Sequence, residues 1–534
     1  MNGRDENFNY ITRFLFATLI EIDIESEKEY PQLAAELPQI IMRKDGLLNI
    51  NFEIRKEAKW DNGTPVTADD VELVIKTGLI PQVHCDARRQ GFIDVKDFIK
   101  DSLNNKKFTI VSAPYFAAAS TWNGLNIFPK YIYDADNLLS NYSVKQLSEN
   151  LSKNIQDEKL IQYANQFNSE IFSRKTVVGC GPYTLKEWKT GEKIIIEKKK
   201  NWWGEKTGMK YSYFNNYPEN ITWQIIRDNI TALTTLKANK IDILRGINPK
   251  DYFDDLKEDK SFNENFELYT PTSFLIEGIL LNTRNDILND KKVRQALNYL
   301  TDKKTIIKNI IYDMAVPAYT FIHPSIKDLQ NPNLNPYDYN QDKAKKLLTE
   351  AGWKDSDNDG VLDKIIKGKK RNLSLSILYP SGVQRKESTC LFFRESCKKM
   401  GIQIEVIGRE FIVLQNDMAK GNFDMVAQTF GSSPLENDPR QLWHTKSIVQ
   451  GTNYSGFGNL HSDSIIMKIR ATIDRKERIP LYFELQEIIN DESPFIYIHA
   501  QKSLLAISKK YTGYKVSGIR PGFWQGSFKT KTQM

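Results

Sequence analysis

Cysteine is scarce, with only Cys85, Cys180, Cys390 and Cys397 in 534 residues. Four thiols exclude a disulfide scaffold, which small secreted domains need and a chain of this length does not. No pair stands at CxxC spacing, so a thiolate zinc site is excluded as well. The pattern of residues 391–400 predicts a helix, which would hold Cys390 and Cys397 about 10 Å apart, beyond disulfide reach. Buried free thiols are expected, with a bridge between distant cysteines such as Cys85 and Cys180 left open. Histidine is almost as rare. The five residues His84, His323, His444, His461 and His499 form no HExxH pair, and no GxSxG elbow occurs. Residues 204–210 lack the GxxxxGK[ST] phosphate loop, which assigns any nucleotide hydrolysis to another subunit. Cys180 lies between two glycines as an exposed nucleophile would, but its Pro182-Tyr183 flank belongs to a hairpin motif. These absences argue against an enzyme.

Long apolar runs are also missing. The best stretch, Phe14 to Ile24, is interrupted by Glu21 and Asp23, so no membrane helix is predicted. The opening Met1-Asn2-Gly3-Arg4-Asp5-Glu6 lacks the basic and apolar regions of a leader, which implies a cytoplasmic protein or a targeting segment removed beforehand. Charge of one sign is not concentrated either. The 74 basic and 67 acidic residues leave a net charge of +7, with only short clusters at Lys198 to Lys200 and Lys367 to Arg371. Solvated surface lysine explains that balance, and no nucleic-acid partner is expected.

What is present is a chain too long for one core, with 26% charged and 40% hydrophobic residues and alternating strand and helix signals. Residues 48–55 alternate apolar and polar, as a half-buried strand does. Asp61 to Pro65 supplies a turn, and Thr67 with Asp70 forms a capping box for a helix from Ala68. Residues 184–188 and 193–198, separated by Thr190-Gly191, predict a hairpin followed by Trp202-Trp203. Val293, Ala296, Leu297 and Leu300 mark an amphipathic helix behind an Asp290 cap. Asp302 caps the next, and Asp342 caps a third that Gly352 ends. No repeat or flexible linker divides the chain, so its halves are expected to be joined by short crossings.

These segments resemble a known family. Trp60-Asp61-Asn62-Gly63-Thr64-Pro65-Val66-Thr67-Ala68-Asp69-Asp70-Val71 is similar to its signature of Trp, turn, Gly-x-Pro and acidic capped helix. Tyr30 to Glu36, Lys44-Asp45-Gly46, Gly179 to Leu185 with Trp188, Asn201 to Gly204, Leu281-Asn282-Thr283, Val293 to Leu297 and Ala351-Gly352-Trp353 follow in family order and spacing. The chain thus resembles the large periplasmic dipeptide, oligopeptide and nickel-binding proteins of ABC importers, family 5 of the extracellular solute-binding proteins.

The resemblance implies an α/β, two-lobed periplasmic binding protein of type II. This is a large three-subdomain clamshell with mixed sheets and a hinge, enclosing its ligand between the lobes. Its implied parts are residues 1–39 in lobe I, 40–175 as an inserted subdomain, 176–271 returning to lobe I, 272–501 as lobe II, and 502–534 in lobe I again. Relatives carry a further strand before the segment equivalent to Arg4 to Ile24. The implied function is a monomeric substrate-binding subunit in the periplasm or at the outer face of the cytoplasmic membrane, handing a peptide-like ligand to a permease and its ATPases. A ligand sensor or chaperone-like binder, or a binder of nickel or another small solute, is the alternative.

Candidate ligand contacts follow from matching positions. Where peptide-binding relatives place an Asp after the Phe-Asp-Met strand, this chain has Phe430-Gly431-Ser432-Ser433, so the usual partner of a ligand amine is replaced by Ser433. The next segment resembles the oligopeptide and peptide-antibiotic subset through Glu436 and Arg440. Glu436 then attracts a ligand ammonium and Arg440 clamps a carboxylate, or the two pair with each other and shape the loop. Trp122, Phe430, Trp443 and Tyr454 offer flat walls or core packing, Asn453 lies in a segment of the same subset, and Tyr10 lies where relatives pass the cleft. Asp355, Asp357, Asp359 and Asp363 follow calcium-loop spacing, but Ile366 stands where a bidentate acid is needed. A structural calcium site and a plain turn are both open. No other cofactor is expected.

Overall fold

In the computed structural model, which describes residues 6–89, 91–117, 122–150, 157–432 and 434–530, helix caps anchor long-range packing. Helix α1 is Glu6–Leu15, and strands β1 (Gln39–Met42) and β2 (Leu48–Glu53) precede α2 (Ala68–Leu79). Asp70 reaches back to the Thr67 N–H at 2.9 Å, completing the capping box. The same carboxylate accepts the Trp60 Nε1–H at 3.2 Å and the Lys130 N–H at 2.9 Å. The Trp60-to-Asp70 signature is therefore a folding device.

Strands β3 (Val95–Lys100) and β4 (Lys107–Ser112) complete an antiparallel sheet in the order β1-β2-β4-β3. The predicted hairpin forms as β5 (Tyr183–Lys189) and β6 (Lys193–Lys198), joined by β7 (Asn220–Gln224) in a second antiparallel sheet. Gly179 and Gly181 let this hairpin approach the end of α1. A Cβ at either would sit 2.2 to 2.3 Å from the carbonyl oxygen of Leu15 or Phe14. The glycines around Cys180 thus serve backbone approach. The thiol is buried and pushed up to about 12 by that burial, so it is no nucleophile at neutral pH. All four cysteines are free and buried.

Two short strands, β8 (Ile243–Arg245) and β9 (Phe266–Tyr269), precede the long β10 (Thr272–Leu281). Then come α3 (Lys291–Tyr299), α4 (Lys303–Asn309), β11 (Ala315–Pro317), α5 (Gln341–Glu350) and a hairpin of β12 (Asp363–Ile366) and β13 (Lys369–Asn372). Asp290 and Asp302 cap α3 and α4 as predicted. For α5 the cap is Asn340, whose side chain accepts the Lys343 N–H at 2.9 Å. Asp342 lies inside the first turn, where an acid still suits the helix dipole. Gly352, at φ +84°, follows its end.

The chain continues through β14 (Ser374–Pro380), α6 (Gln384–Lys398), β15 (Gln403–Arg409), α7 (Phe411–Lys420) and β16 (Met425–Gly431). It goes on with α8 (Leu460–Ala471), α9 (Arg475–Glu492), β17 (Phe495–Lys502) and β18 (Leu505–Ser508), and a short antiparallel pair, Tyr511–Thr512 with Lys529–Thr530, follows. Six strands form a mixed sheet in the order β11-β17-β10-β16-β14-β15, with β14 parallel to both β15 and β16. Strand residues alternate between faces. Ile279, Leu281, Met425 and Ala427 meet Val293 and Leu297 of α3, Ala344 of α5, and Cys390 and Phe393 of α6 in one core. Phe430 turns to the other face, against Phe495 and Trp443.

Two compact units make up the chain. The first is Met1–Ile226, Arg470–Ile473 and Lys510–Met534, and the second is Arg227–Ile469 and Asp474–Lys509. Residues 227–271, expected with lobe I, group with the second unit. Strands β8 and β9 flank β18, and Met314 packs against both their core and that of the six-stranded sheet.

Candidate ligand-binding site

Glu277 is the one charge in β10, whose sequence is otherwise Thr-Ser-Phe-Leu-Ile and Gly-Ile-Leu-Leu. It is 6% exposed and lies opposite Thr429, two residues from the end of β16. Burying a carboxylate is costly unless it is paired. Arg385, in the first turn of α6, supplies the pair with Nη2 at 2.7 Å from Glu277 Oε1. Lys386 is also buried and donates to the Ala427 carbonyl at 2.9 Å. His499 of β17 brings Nε2 within 4.0 Å of Glu277 Oε2.

Burial alone would raise the Glu277 carboxyl, but Arg385 and Lys386 outweigh it and hold the group down at about 2. His499 is pushed down to about 4 by burial and is neutral at pH 7. Lys386 is pulled down to about 8 by burial and stays mostly protonated. The cluster therefore carries two cations against one carboxylate. Arg385 Nε and His499 Nδ1 are buried with no hydrogen-bond partner among the described residues. A partly exposed guanidinium with an unused donor can hold an anion.

The cluster lies under the carboxyl ends of β14 and β16, the edge where open α/β sheets bind ligands. The positive end of the α6 dipole adds to it. Beyond the end of β15, Phe411, Ile412 and Val413 are 55%, 66% and 46% exposed, three successive apolar side chains on the first turn of α7. Isolated exposed apolar residues are ordinary, but three in succession form a contiguous apolar surface.

The residues expected from sequence divide differently. Gly431 is exposed at the end of β16, and the Ser432 N–H bonds the Phe274 carbonyl at 2.7 Å, so both lie at this edge. Ser433 lies outside the described residues. Glu436 does not pair with Arg440 among the described residues. Arg478 of α9 forks it, Nε to Oε1 at 2.7 Å and Nη2 to Oε2 at 2.8 Å, and Arg475 adds a contact at 3.4 Å. The Glu436 and Arg478 side chains are 9% and 6% exposed. This carboxylate is spent on holding residues 434–443 to α9.

Arg440 opens a short helical turn, with its N–H on Asp438 Oδ1 at 2.9 Å. Trp443 is 1% exposed and ringed by Phe321, Phe430 and Phe457, so it and Phe430 are core. Asn453 is fully buried. Its amide donates to the His444 and Phe457 carbonyls at 3.1 and 2.8 Å and accepts from Ser455, which sets the loop. The Tyr454 carbonyl accepts from Arg284 at 3.0 Å. Tyr10 and Trp122 belong to the first unit and are buried there, Trp122 against Phe92.

Asp355, Asp357 and Asp363 place carboxylate oxygens within 4.8 Å of one another, and Asp359 is not in that group. Lys370 is 2.5 Å from Asp357 and 3.4 Å from Asp363, and Ser356 also bonds Asp363. Asp355 and Asp359 accept backbone N–H groups of the turn. A calcium ion would have to displace the lysine ammonium, so these residues fit a metal poorly. A surface cleft of about 470 Å³ in the second unit, lined by Tyr299, Lys343, Glu350 and Asp491, lies beside the start of β17. That is the opposite end of the sheet, and its acids are paired with Lys292 and Lys291.

The sequence signals for Glu277 and Arg385 were a lone charge in an apolar strand and a basic pair five residues past a strand end. Neither specifies its partner.

Comparison with known proteins converges on one group. The family described as bacterial extracellular solute-binding proteins, family 5 Middle, matches residues 28–448. The oligopeptide-binding protein AppA of Bacillus subtilis strain 168 is 27% identical over 523 residues, covering 96% of this chain and 85% of that protein. The structure of AppA from Bacillus subtilis with a nonapeptide superposes with a TM-score of 0.78 at 24% identity, covering 98% and 95% of the two chains. The ABC transporter-associated periplasmic binding protein DppA of Helicobacter pylori, with the peptide STSA, gives 0.78 at 20% identity, covering 99% and 95%.

Proposed function

The chain belongs to family 5 of the bacterial extracellular solute-binding proteins and has their two-lobed α/β fold, and from that premise we propose that it captures peptide-like solutes outside the cytoplasm for an ABC importer. The observation that carries the ligand class is the excess positive charge beneath the β14–β16 edge, where Arg385 Nε has no partner among the described residues. A ligand carboxylate seats on Arg385, and Glu277 keeps the guanidinium oriented by holding its Nη2. Phe411 and its neighbours contact the ligand's apolar side chains.

The task is retention and delivery, with a permease and ATPases as the receiving partners and this chain acting as a monomer. Chemistry on the ligand is not required of it, and its cysteine thiols are buried. No helix among the described residues is long and apolar enough to cross a membrane, so transport belongs to those partners.

Native mass spectrometry of protein incubated with a peptide mixture tests the reading. One uncleaved peptide retained per chain is the expected result. Cleaved product, or retention of metal or sugar alone, rejects it.

A further inference from the structure

We infer that the first unit binds a single water molecule between Arg13 and Glu21, completing an ion pair that the two side chains do not close by themselves. Arg13 lies in the last turn of α1. Glu21 lies in a short antiparallel pair of strands, Ile20–Ile22 with Glu29–Pro31, directly opposite Tyr30. Arg13 Nη2 stands 3.6 Å from Glu21 Oε1, beyond hydrogen-bond length. Glu21 Oε1 accepts the Ile22 N–H at 3.0 Å instead. The remaining atoms of the pair, Arg13 Nη1 and Glu21 Oε2, are buried with no hydrogen-bond partner among the described residues. A guanidinium donor and a carboxylate oxygen withdrawn from bulk water each carry a desolvation cost until something bonds them.

Both residues line one cavity of about 10 Å³, together with Thr18, Tyr30, Ser212 and Tyr213. That is about the room one water needs. The neighbouring polar groups are engaged within the protein. Thr18 Oγ1 donates to the Ile20 carbonyl at 2.6 Å, Ser212 donates its N–H to Asp23 at 2.7 Å, and the Tyr213 hydroxyl donates to the Phe16 carbonyl at 3.1 Å. The Tyr30 hydroxyl accepts from Gln32 Nε2 at 3.1 Å. The two unused atoms then select the occupant by their chemistry. An anion would suit Arg13 but meet repulsion from Glu21, and a cation would suit Glu21 but meet repulsion from Arg13. Water is neutral, accepts from Nη1 and donates to Oε2 at once. A contact too long for a direct bond is spanned in this way at little enthalpic loss. The bridge ties α1 to the first strand pair of its unit, and it stands whatever ligand the protein carries.

The test is a crystal structure of the full chain, refined with its waters, together with crystals soaked in bromide and in rubidium. The expected result is one density peak within hydrogen-bond length of both Arg13 Nη1 and Glu21 Oε2, without anomalous signal in either soak. A direct Arg13–Glu21 hydrogen bond that closes the cavity, or an anomalous peak at the site, overturns the inference. In solution, long-lived internal waters are counted by water-proton relaxation dispersion. Glu21→Leu, which removes the acceptor, should lower the count by one, while Glu21→Gln, which keeps an acceptor oxygen, should leave it unchanged. Equal counts in the two variants overturn the site. Should Glu21→Leu fail to fold, the density in the wild type decides.

Discussion

Glu277 and Glu436 are both buried carboxylates held by an arginine in the second unit, yet their surroundings are opposite. Glu436 faces two guanidinium groups with both oxygens used, and Arg478 is as buried as its partner. Glu277 is outnumbered by cations whose donors are incompletely used, beside a partly exposed Arg385. A buried pair with complementary geometry is structure. A buried cluster with charge left over at a sheet's carboxyl edge is a site waiting for a counter-ion.

Breaking the first pair should have the largest effect on stability. Glu436→Gln leaves Arg478 buried without its counter-charge, and a loss of about 3–5 kcal/mol is expected in denaturant unfolding. Peptide affinity of the folded fraction should not change. If affinity falls and stability does not, the two carboxylates have been assigned the wrong roles.

Breaking the second should act on binding. Arg385→Met is expected to weaken binding of free peptides by about 10- to 100-fold, the value of a hydrogen bond to a charged group, as measured by calorimetry. It should also lower stability, because Glu277 is left buried with only Lys386 as a nearby cation.

The clusters also differ in pH response. His499 has a folded pKa of about 4 against 6.5 in the unfolded chain, so between those values the unfolded state binds the proton the folded state refuses. Stability should fall as pH drops through that window, by up to about 1.4 kcal/mol per unit. Glu277, at about 2 against 4.5, extends the decline below it with the same sign. His499→Gln should remove the upper part of the slope only. A slope unchanged by that substitution would mean His499 is protonated in the folded protein.

The smallest effect tests a third acidic cluster by the same logic. With Lys370 already set between Asp357 and Asp363, millimolar calcium should leave the thermal midpoint of the wild type unchanged and raise that of Lys370→Met. A calcium-dependent rise in the wild type would restore the metal reading.

Much of the fold was legible because its signals are local. The Thr67–Asp70 box, the Asp290 and Asp302 caps and the hairpin at residues 183–198 each rest on hydrogen bonds between near neighbours. Even the misplaced α5 cap erred by two residues, between side chains of similar capping ability. The site was less legible. Phe430, Trp443 and Asn453 lie in the matching segment but proved to be core and loop support, since adjacency in sequence does not say which face of a strand meets water.

Local residue patterns were enough for the family and for the alternation of strands and helices. Which charges are spent and which are left over was settled by three-dimensional packing alone. Glu436 finds Arg478 across 42 residues and Glu277 finds Arg385 across 108, distances at which periodicity and spacing carry no information. The pairing is set by the packing of β10, β16, α6 and α9. Burial makes an unpaired charge costly enough that the partner, wherever it lies in the chain, must be brought to it.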